Sequence, residues 1–530
     1  MFEIFSSDLL GRNGLIITSK GDIRTPCFVP VVHPEPRKNL INVQEFKTKY
    51  DVDLIITSSY ILRNRFNEEP LNLHELTGFL GPIMTDSGAY QSLVYGEVEI
   101  TPESTISFQE SIKSDFGVPL DIPIAINDSY EVAENKVNIT LERCRKISEL
   151  VKKSDIIWIG PIQGGKYLDL IEKSAKVITK ISTFNMYAIG GVVELMSNYR
   201  YDTVIEMIIR AKQFLDPAKP VHLFGAGHPS MFPLIVAAGC DSFDSASYSL
   251  YAQDDRYITN TQTFQLSELE EFPCNCPVCL NISPQELLQL SKNDRMKLLA
   301  SHNLYICQTE IKNIRRAISA GTLWELLEAR CLAHPKLKDG FDILCKYKDF
   351  LETNTPSTKR KGIFIISNNS YYRPEVQAHI KKIETVPIKK HNKLLLISLI
   401  NSQVEESYNL FRNLKSYFDK ISLQEHEFDI WILDPVFRIF PLEISEVYPL
   451  AQYINTKFSS MKMIRQNIEK SLSYVNSCYF TEILILGELD FINEIMINKR
   501  IFNQGKIKAI NISIERTNFD RIISFINKMG

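Results

Sequence analysis

Residues 81–90, GPIMTDSGAY, contain the pattern that decides the fold, a short apolar run that ends in small and polar residues. The same pattern recurs through residues 1–260, where β-branched runs alternate with amphipathic stretches typical of helices. Such βα repetition without an antiparallel hairpin signal predicts a parallel sheet, either closed as a barrel or open and doubly wound. The recurring runs are residues 51–62, 155–165, 186–193, 220–227 and 239–248.

Nearly every run ends in residues that suit a binding pocket. In a (β/α)8 barrel the C-terminal ends of the strands assemble the active site, and glycines there let a ligand approach the backbone. We therefore predict an α/β fold, a (β/α)8 TIM-type barrel with one shared pocket, although any one of these glycines is also typical of an ordinary turn. The strand-end residues are Ser58, Ser59, Asp86, Gln163, Gly164, Gly165, Gly190, Gly191, Gly225, Gly227 and Asp244.

Length and composition predict several domains. The 530 residues are 44% hydrophobic and 23% charged, which is typical of soluble globular proteins and excludes disorder as the main state. We predict a catalytic barrel over residues 1–355, a linker over 356–362 (PSTKRKG), and smaller α+β C-terminal domains over 363–425 and 426–530. Basic residues modestly outnumber acidic ones after residue 355, which by itself is weak evidence for a nucleic-acid partner.

The chain carries no sign of secretion or of a membrane span. Residues 1–14 lack the basic and apolar regions of a signal peptide, and the longest apolar run, residues 394–400, is far shorter than the ~20 residues of a membrane helix. Most of the ten cysteines are scattered singly, which argues against a disulfide framework. We expect a cytoplasmic protein.

Three clustered cysteines predict a metal site. Cys274, Cys276 and Cys279 lie within six residues, and His302 is the first downstream histidine that a helix could bring back to them. Three thiolates and one imidazole suit tetrahedral Zn²⁺, and a site whose four ligands all come from protein is structural. A helical histidine alone is more often a core or surface residue, but a three-cysteine cluster that lacks a fourth ligand favours ligation by His302.

Three aspartates are candidates for chemistry. Asp86, Asp121 and Asp244 each follow an apolar run, and if they converge their mutual repulsion separates their pKa values and their roles. Two carboxylates at a glycosidic carbon support retaining substitution, in which one forms an ester and the other moves protons. The same residues could instead only cap helices. Tyr90 and Phe224 could form two faces of a slot for a flat ring, although either alone is typical of a core residue.

Taken together, seven segments resemble the archaeal-type tRNA-guanine transglycosylases in the order of that family. The segments are MTDSGAYQ, DIP, QGG, IGGVVELMSNYR, HLFGAGHP, DSFDSASYSLYAQDDRY and CNCPVC with its distant histidine. The resemblance covers about residues 2–334 and continues more faintly through YYRPEVQAH near residue 375. It implies a (β/α)8 barrel with a zinc-binding insertion. It also implies exchange of guanine 15 in the tRNA D-loop for 7-cyano-7-deazaguanine (preQ0), a step towards archaeosine.

The resemblance also implies roles for individual residues. Asp244 matches the nucleophile that attacks the ribose anomeric carbon, and Asp86 matches its acid/base partner. Asp121 corresponds to the residue that reads the Watson–Crick edge of the bound base. The remaining residues that the resemblance places around the base are Gln163, Gly190, Gly191, Tyr90 and Phe224.

The sequence departs from the family pattern in three places. Ile124 and Ala125 follow the DIP motif where Thr-Pro is usual, and Ser58 stands where Asn is expected. We recognise no PUA-type RNA-binding domain after about residue 505, so we expect residues 356–530 or a separate PUA-domain protein to supply further tRNA contacts. Members of the family generally form homodimers, and we expect the same here, with the zinc region as a candidate contact.

Two other functions stay open from the sequence. The first is that of an archaeosine synthase-like paralogue, which modifies the nitrile already present in tRNA and whose members lack the full transglycosylase catalytic set. The second is that of a non-catalytic tRNA-binding subunit that supports an active partner. The presence of Asp86, Asp121 and Asp244 together favours transglycosylation over both.

Overall fold

The computed structural model describes most of the chain, which divides into two compact units, Met1–Phe350 and Leu351–Gly530. None of the helices in the described ranges combines the length and the apolar composition that a bilayer-spanning helix requires. The described residues are 1–66, 72–89, 101–151, 154–385, 388–399, 411–412, 414–416, 428–455, 461–487 and 507–511.

Eight parallel strands form the centre of the first unit, and they close into a barrel. The spatial order is β4-β11-β10-β9-β8-β7-β6-β5, and a parallel bridge between Val31 and Ile56 joins the two ends. The prediction of a (β/α)8 barrel is therefore confirmed. The strands are β4 (Cys27–Pro30), β5 (Ile55–Ser58), β6 (Ile83–Asp86), β7 (Phe116–Gly117), β8 (Ile157–Ile162), β9 (Met186–Ile189), β10 (Val221–Leu223) and β11 (Ser242–Ser245).

Apolar side chains from successive strands fill the barrel interior. Val29, Ile56, Met84, Ile159 and Ala188 belong to one buried cluster, and nearly all strand residues are inaccessible to solvent. Parallel strands covered by helices need such continuous apolar runs, which is why the sequence pattern was informative. The helices of this unit are Glu45–Lys49, Ser59–Phe66, Leu73–Thr77, Pro102–Ser111, Tyr130–Leu150, Leu168–Ile178, Val193–Ser197, Tyr201–Lys212, Phe232–Ala237, Ser247–Gln253, Pro284–Gln289, Lys292–Ala320, Leu323–Cys331 and Pro335–Lys346.

A three-stranded antiparallel sheet precedes the barrel. It consists of β1 (Phe2–Asp8), β2 (Gly11–Ile16) and β3 (Ile23–Thr25). The sequence carries no hairpin signal for this sheet, and the reason is the turn between β1 and β2. Its two residues are Leu9 and Leu10, both buried, and Leu9 takes a positive φ of 52° that glycine or asparagine usually supplies. Packing of these leucines therefore replaces the turn chemistry that sequence reasoning detects.

A hairpin and a long helix follow the barrel strands. The hairpin pairs β12 (Arg256–Ile258) with β13 (Thr263–Gln265). The helix Lys292–Ala320 begins at Ser291, whose side chain accepts the Asp294 N–H, and ends at Gly321 with φ 69°. This helix carries His302 towards the cysteine cluster.

The described residues of the second unit form two sheets. In the smaller, β14 (Ile363–Ile365) pairs with β18 (Tyr453–Asn455). The larger sheet has the order β17-β16-β15-β19-β20 and is parallel except for β17, and it pairs strands from both sides of residue 425. The strands of the larger sheet are β15 (Lys393–Ser398), β16 (Phe428–Asp434), β17 (Arg438–Pro441), β19 (Glu482–Gly487) and β20 (Ile507–Asn511). The described helices are Lys348–Asn354, whose last residues belong to this unit, Pro374–Thr385 and Met461–Ser477.

Candidate active site and metal centre

Asp86 ends β6 at the carboxyl end of the barrel. Burial raises the pKa of Asp86 to about 6, and the nearby negative charge of Asp244 contributes to the rise. Two backbone N–H groups oppose this effect, since those of Gly88 and Ser59 lie 3.0 and 3.2 Å from Oδ1. Asp86 is therefore a carboxyl group that changes protonation near neutral pH, beside a second carboxylate.

Asp244 lies in β11 and is 8% exposed. Its Oδ1 accepts two hydrogen bonds, from His222 Nε2 at 3.1 Å and from the Gly225 N–H at 3.0 Å. The His222 ring is fully buried, and its Nδ1 lies 2.8 Å from Ser242 Oγ. His222 is not among the site residues predicted from the sequence. The available signal was a histidine in an otherwise apolar strand, two residues before Phe224 and hence on the same strand face.

Asp121 follows β7 and belongs to a hydrogen-bonded group of side chains. Its Oδ2 accepts from Gln163 Nε2 at 2.6 Å, and its Oδ1 accepts from Ser87 Oγ at 2.8 Å. Burial raises the pKa of Asp121 above its usual value. Gln163 is 2% exposed, and its Oε1 has no hydrogen-bond partner among the described residues. Such an unsatisfied buried acceptor is typical of a site that awaits a ligand.

The glycine pair after β9 makes room for Gln163. A Cβ atom at Gly190 would lie 2.5 Å from Gln163 Nε2, so any larger residue would displace the amide. Gly191 has a φ of 75°, which favours glycine. The carbonyl oxygen of Ile124, the residue that departs from the family pattern, lies 3.5 Å from where a Cβ at Gly191 would be. The unusual DIP loop therefore packs directly beside the glycine pair.

Of the two residues predicted to form the aromatic slot, only Phe224 is among the described residues. Phe224 is half-buried, packs against the barrel core, and its ring meets the His222 ring edge-on at 4.8 Å. Tyr90 lies outside the described residues, so its predicted place in the slot is not described. Ser58, the other departure from the family pattern, ends β5 and is buried beside Asp86.

The predicted metal ligands converge. One ligand atom from each of Cys274, Cys276, Cys279 and His302 lies within 4.8 Å of all the others, so the four residues could hold a metal ion. His302 Nδ1 is 3.4 Å from the Cys276 sulfur and 3.3 Å from the Cys279 sulfur. The cysteines are half-buried, whereas His302 is 1% exposed.

The surroundings of His302 select the nitrogen that faces the sulfurs. Its Nε2 lies 2.9 Å from the Ile258 carbonyl oxygen, which can only accept, so Nε2 carries the proton and Nδ1 presents a lone pair to the cluster. Tyr257 stacks on the imidazole at 3.8 Å, and its hydroxyl lies 3.4 Å from the Cys279 sulfur. Residues of the β12 strand thus hold the histidine ready for ligation.

The carboxyl end of the barrel combines two chemical capacities. Asp244, held by two N–H donors, and Asp86, with its raised pKa, suit the roles of nucleophile and proton carrier. Asp121 and Gln163, joined by a hydrogen bond, form a polar edge that carries both acceptors and donors, which suits recognition of a heterocycle. The four candidate metal ligands lie on other elements, so a metal ion held there would be suited to supporting the fold.

Comparison with known proteins identifies the family. Residues 8–336 match the family described as "TGT: Queuine tRNA-ribosyltransferase". A tRNA-guanine(15) transglycosylase of Methanocaldococcus jannaschii is 42% identical over 461 residues, which span 85% of this chain and 68% of that protein. The corresponding protein of Methanococcus aeolicus is 41% identical over 476 residues, 88% of this chain and 71% of its own length. That of Saccharolobus solfataricus is 40% identical over 460 residues, 86% of this chain and 90% of its own length. The chain therefore belongs to the tRNA-guanine transglycosylase family of glycosyltransferases.

Proposed function

We propose that the protein exchanges guanine at position 15 in the tRNA D-loop for 7-cyano-7-deazaguanine, through a covalent aspartyl-ribose ester, in archaeosine biosynthesis. The observation that carries the proposal is the pair of neighbouring carboxyl groups, Asp86 with a pKa raised to about 6 and Asp244 held by two donors. The position in tRNA is supported by the relatives, which are named tRNA-guanine(15) transglycosylases.

The group around Asp121 is suited to guanine rather than adenine. A carboxylate can accept both the ring N–H and the exocyclic amine of guanine, whereas adenine presents the opposite pattern. Gln163 Nε2 donates one hydrogen to Asp121 and has a second for the carbonyl of the base. The Gly190 N–H already donates to the Ile162 carbonyl, so we assign to Gly190 the role of space for Gln163 and to Gly191 a backbone contact.

The base must leave the tRNA stack to reach this edge. The barrel mouth cannot reach a stacked nucleotide, so we propose that the guanosine is flipped out and that its base stacks between Tyr90 and Phe224. Asp244 then attacks the anomeric carbon, an ester forms as the glycosidic bond breaks, and Asp86 gives a proton to the departing guanine. The incoming base loses its proton to Asp86 and attacks the same carbon, which releases Asp244. One glycosidic bond replaces another, so no external energy source is needed.

We predict that Asp86→Asn slows exchange by about 10²- to 10⁴-fold, because the variant lacks the group that moves the proton. The same substitution should raise the free energy of unfolding at pH 7.5 by about 1 to 3 kcal/mol. The reason is that the buried carboxyl group, with a pKa of about 6 against 3.8 when unfolded, is costly to ionise. Denaturant unfolding at several pH values measures the second effect.

The sign of this pH dependence follows from proton binding. Between about pH 4 and 6 the folded state holds the Asp86 proton more tightly than the unfolded chain does, so stability falls as pH rises through this range. The gap between Asp86→Asn and wild type should therefore be large at pH 7.5 and small at pH 4.5. The exposed residue Asp254 offers a matched control, since Asp254→Asn should change neither activity nor stability. A gap independent of pH would contradict the assignment.

We propose that the metal is one structural Zn²⁺ ion held by Cys274, Cys276, Cys279 and His302. Three sulfurs and one imidazole nitrogen match the softness and the tetrahedral number that Zn²⁺ prefers. The Nε2–H bond to Ile258 fixes the histidine tautomer as ligation requires. When bound, the ion stabilises the loop and the helix that carry its ligands.

The proposed partners are tRNA, the two bases, a second copy of the chain and a separate PUA-domain protein, in the cytoplasm. We predict that a stand-alone PUA-domain protein tightens tRNA binding about tenfold, because a second protein bound to the same tRNA adds phosphate contacts to those of the enzyme. Filter binding at matched salt measures the change, since phosphate contacts are salt-dependent. Unchanged affinity would contradict the need for this partner.

The proposed function is tested by incorporation of labelled guanine into unmodified tRNA, with the labelled nucleotide mapped by mass spectrometry. We expect label at position 15 and its chase by 7-cyano-7-deazaguanine. Label elsewhere in the tRNA would overturn the position. If a folded, metal-loaded protein incorporates no label, the result would favour the archaeosine synthase-like paralogue or the tRNA-binding subunit. These two differ in one respect: only the paralogue modifies tRNA that already carries the nitrile.

A further inference from the structure

We infer that His222 is a positioning residue for the reaction, a neutral hydrogen-bond donor that holds one oxygen of Asp244 so that the other faces the ribose carbon. The inference rests on the proposed function, in which Asp244 is the nucleophile. It is carried by the hydrogen bonds in which Ser242, His222, Asp244 and Gly225 take part.

Both donors to Asp244 act on the same oxygen. His222 Nε2 and the Gly225 N–H lie 3.1 and 3.0 Å from Oδ1. Oδ2 receives no hydrogen bond from any described residue, and Asp244 retains 8% exposure. A carboxylate held in this way has one oxygen engaged and one free, so the free oxygen is the nucleophilic atom and its direction is set by the two donors.

Ser242 determines which nitrogen of His222 carries the proton. Its Oγ, fully buried, has only His222 Nδ1 as a described partner, at 2.8 Å. If the hydroxyl donates to Nδ1, its proton is satisfied and the single N–H of a neutral ring points at Asp244. If the ring carried both protons, the hydroxyl would have to accept from Nδ1 and its own hydrogen would be buried without an acceptor. The neutral Nε2–H form therefore satisfies every group.

The surroundings keep both donors rigid. The His222 ring is inaccessible to solvent, and the Phe224 ring meets it edge-on at 4.8 Å. Gly225 has a φ of 74°, and a Cβ atom there would lie 2.6 Å from Val193 Cγ2. Glycine is therefore required for the second donor. A donor preorganised in this way costs no rearrangement when the ester forms.

The test is the single-turnover release of labelled guanine from tRNA that carries the label at position 15. His222→Leu removes the donor and should slow release about 10- to 100-fold, as expected for loss of one hydrogen bond to a charged group. The affinity for tRNA should be unchanged, because the donor contacts the nucleophile and not the tRNA. His222→Gln carries an N–H at a similar distance along the side chain and should recover most of the rate.

His74 offers the matched control. It forms a similar but only half-buried pair with Asp115, at 2.9 Å, and Asp115 precedes β7 and so lies at the opposite end of the barrel. His74→Leu should reduce stability without slowing guanine release. A positioning role predicts this contrast between the two histidines, whereas a merely structural role of His222 predicts that both substitutions act alike.

The rates of guanine release by these variants decide between the possible roles of His222. If the wild-type protein releases guanine and folded His222→Leu releases it at the same rate, the inference is wrong while the proposed function stands. If folded His222→Gln is as slow as His222→Leu, the donor assignment is wrong. If His222→Leu does not fold, His222→Phe carries the test, since it keeps an aromatic ring but removes the donor, and an unchanged rate would overturn the inference. If the wild type releases no guanine, the proposed function fails first.

Discussion

Asp244→Asn is expected to abolish guanine exchange, with a loss on the order of 10⁴-fold or more. The asparagine side chain lacks the second carboxylate oxygen, which we propose as the nucleophile, but its carbonyl can still accept the hydrogen bonds of His222 and the Gly225 N–H. The variant should therefore keep its fold and its affinity for tRNA while forming no covalent complex. Labelled guanine incorporation and a denaturing gel for the tRNA–protein ester measure the two effects.

Two comparisons make this result specific. Asp254→Asn makes the same chemical change at an exposed position on the segment that follows β11, and it should exchange guanine at the wild-type rate. Asp86→Asn should still form some ester, because it lacks only the proton carrier. An Asp244→Asn protein with full exchange activity would overturn the assignment of the nucleophile.

Cys276→Ala is expected to release the metal ion and to loosen residues 270–305. A site with three remaining ligands binds zinc far more weakly, and the free energy of metal binding is also free energy of folding for this region. We expect the metal content to fall from about one ion per chain to nearly none, and the region to lose about 3 to 5 kcal/mol of stability. Elemental analysis and limited proteolysis measure these changes.

The barrel itself should survive this change. The metal ligands lie after β11 and on the helix Lys292–Ala320, whereas the core of the barrel comes from its own strands. Cys478→Ala is the matched control, since this single cysteine in the second unit has no described part in the cluster, and it should keep full metal content. A folded Cys276→Ala protein that retains stoichiometric zinc would contradict the ligand set.

Much of the first unit could be predicted from the sequence because its signals are local. Parallel strands buried on both faces need apolar runs, and the turns after them need small or polar residues, so the run at residues 81–90 and its repeats indicate the barrel. The hairpin of β1 and β2 could not be predicted in this way. Its turn residues, Leu9 and Leu10, are stabilised by tertiary burial, which no local pattern records.

The second unit also contains contacts that no local sequence pattern predicts. Lys359 belongs to the segment predicted as a linker, yet its side chain is 3% exposed and pairs with Glu375 at 2.5 Å. A cluster of polar residues is typical of a loop, and only the position of Glu375 in the fold makes burial of the lysine favourable. The pairing of β15 with β16 likewise depends on contacts between distant segments.

The sequence by itself determined which residue types are present for chemistry and metal binding, because carboxylates, thiolates and glycines at strand ends and in a tight cysteine cluster are chemically distinctive. Only the tertiary structure decided what surrounds them. Burial and a neighbouring charge set the pKa of Asp86, and His222 and Gly225 approach Asp244 from another strand and its loop. The protonation of Asp86 and the direction of the Asp244 carboxylate depend on distances between segments that are far apart in the chain. These distances are set only once the barrel has closed.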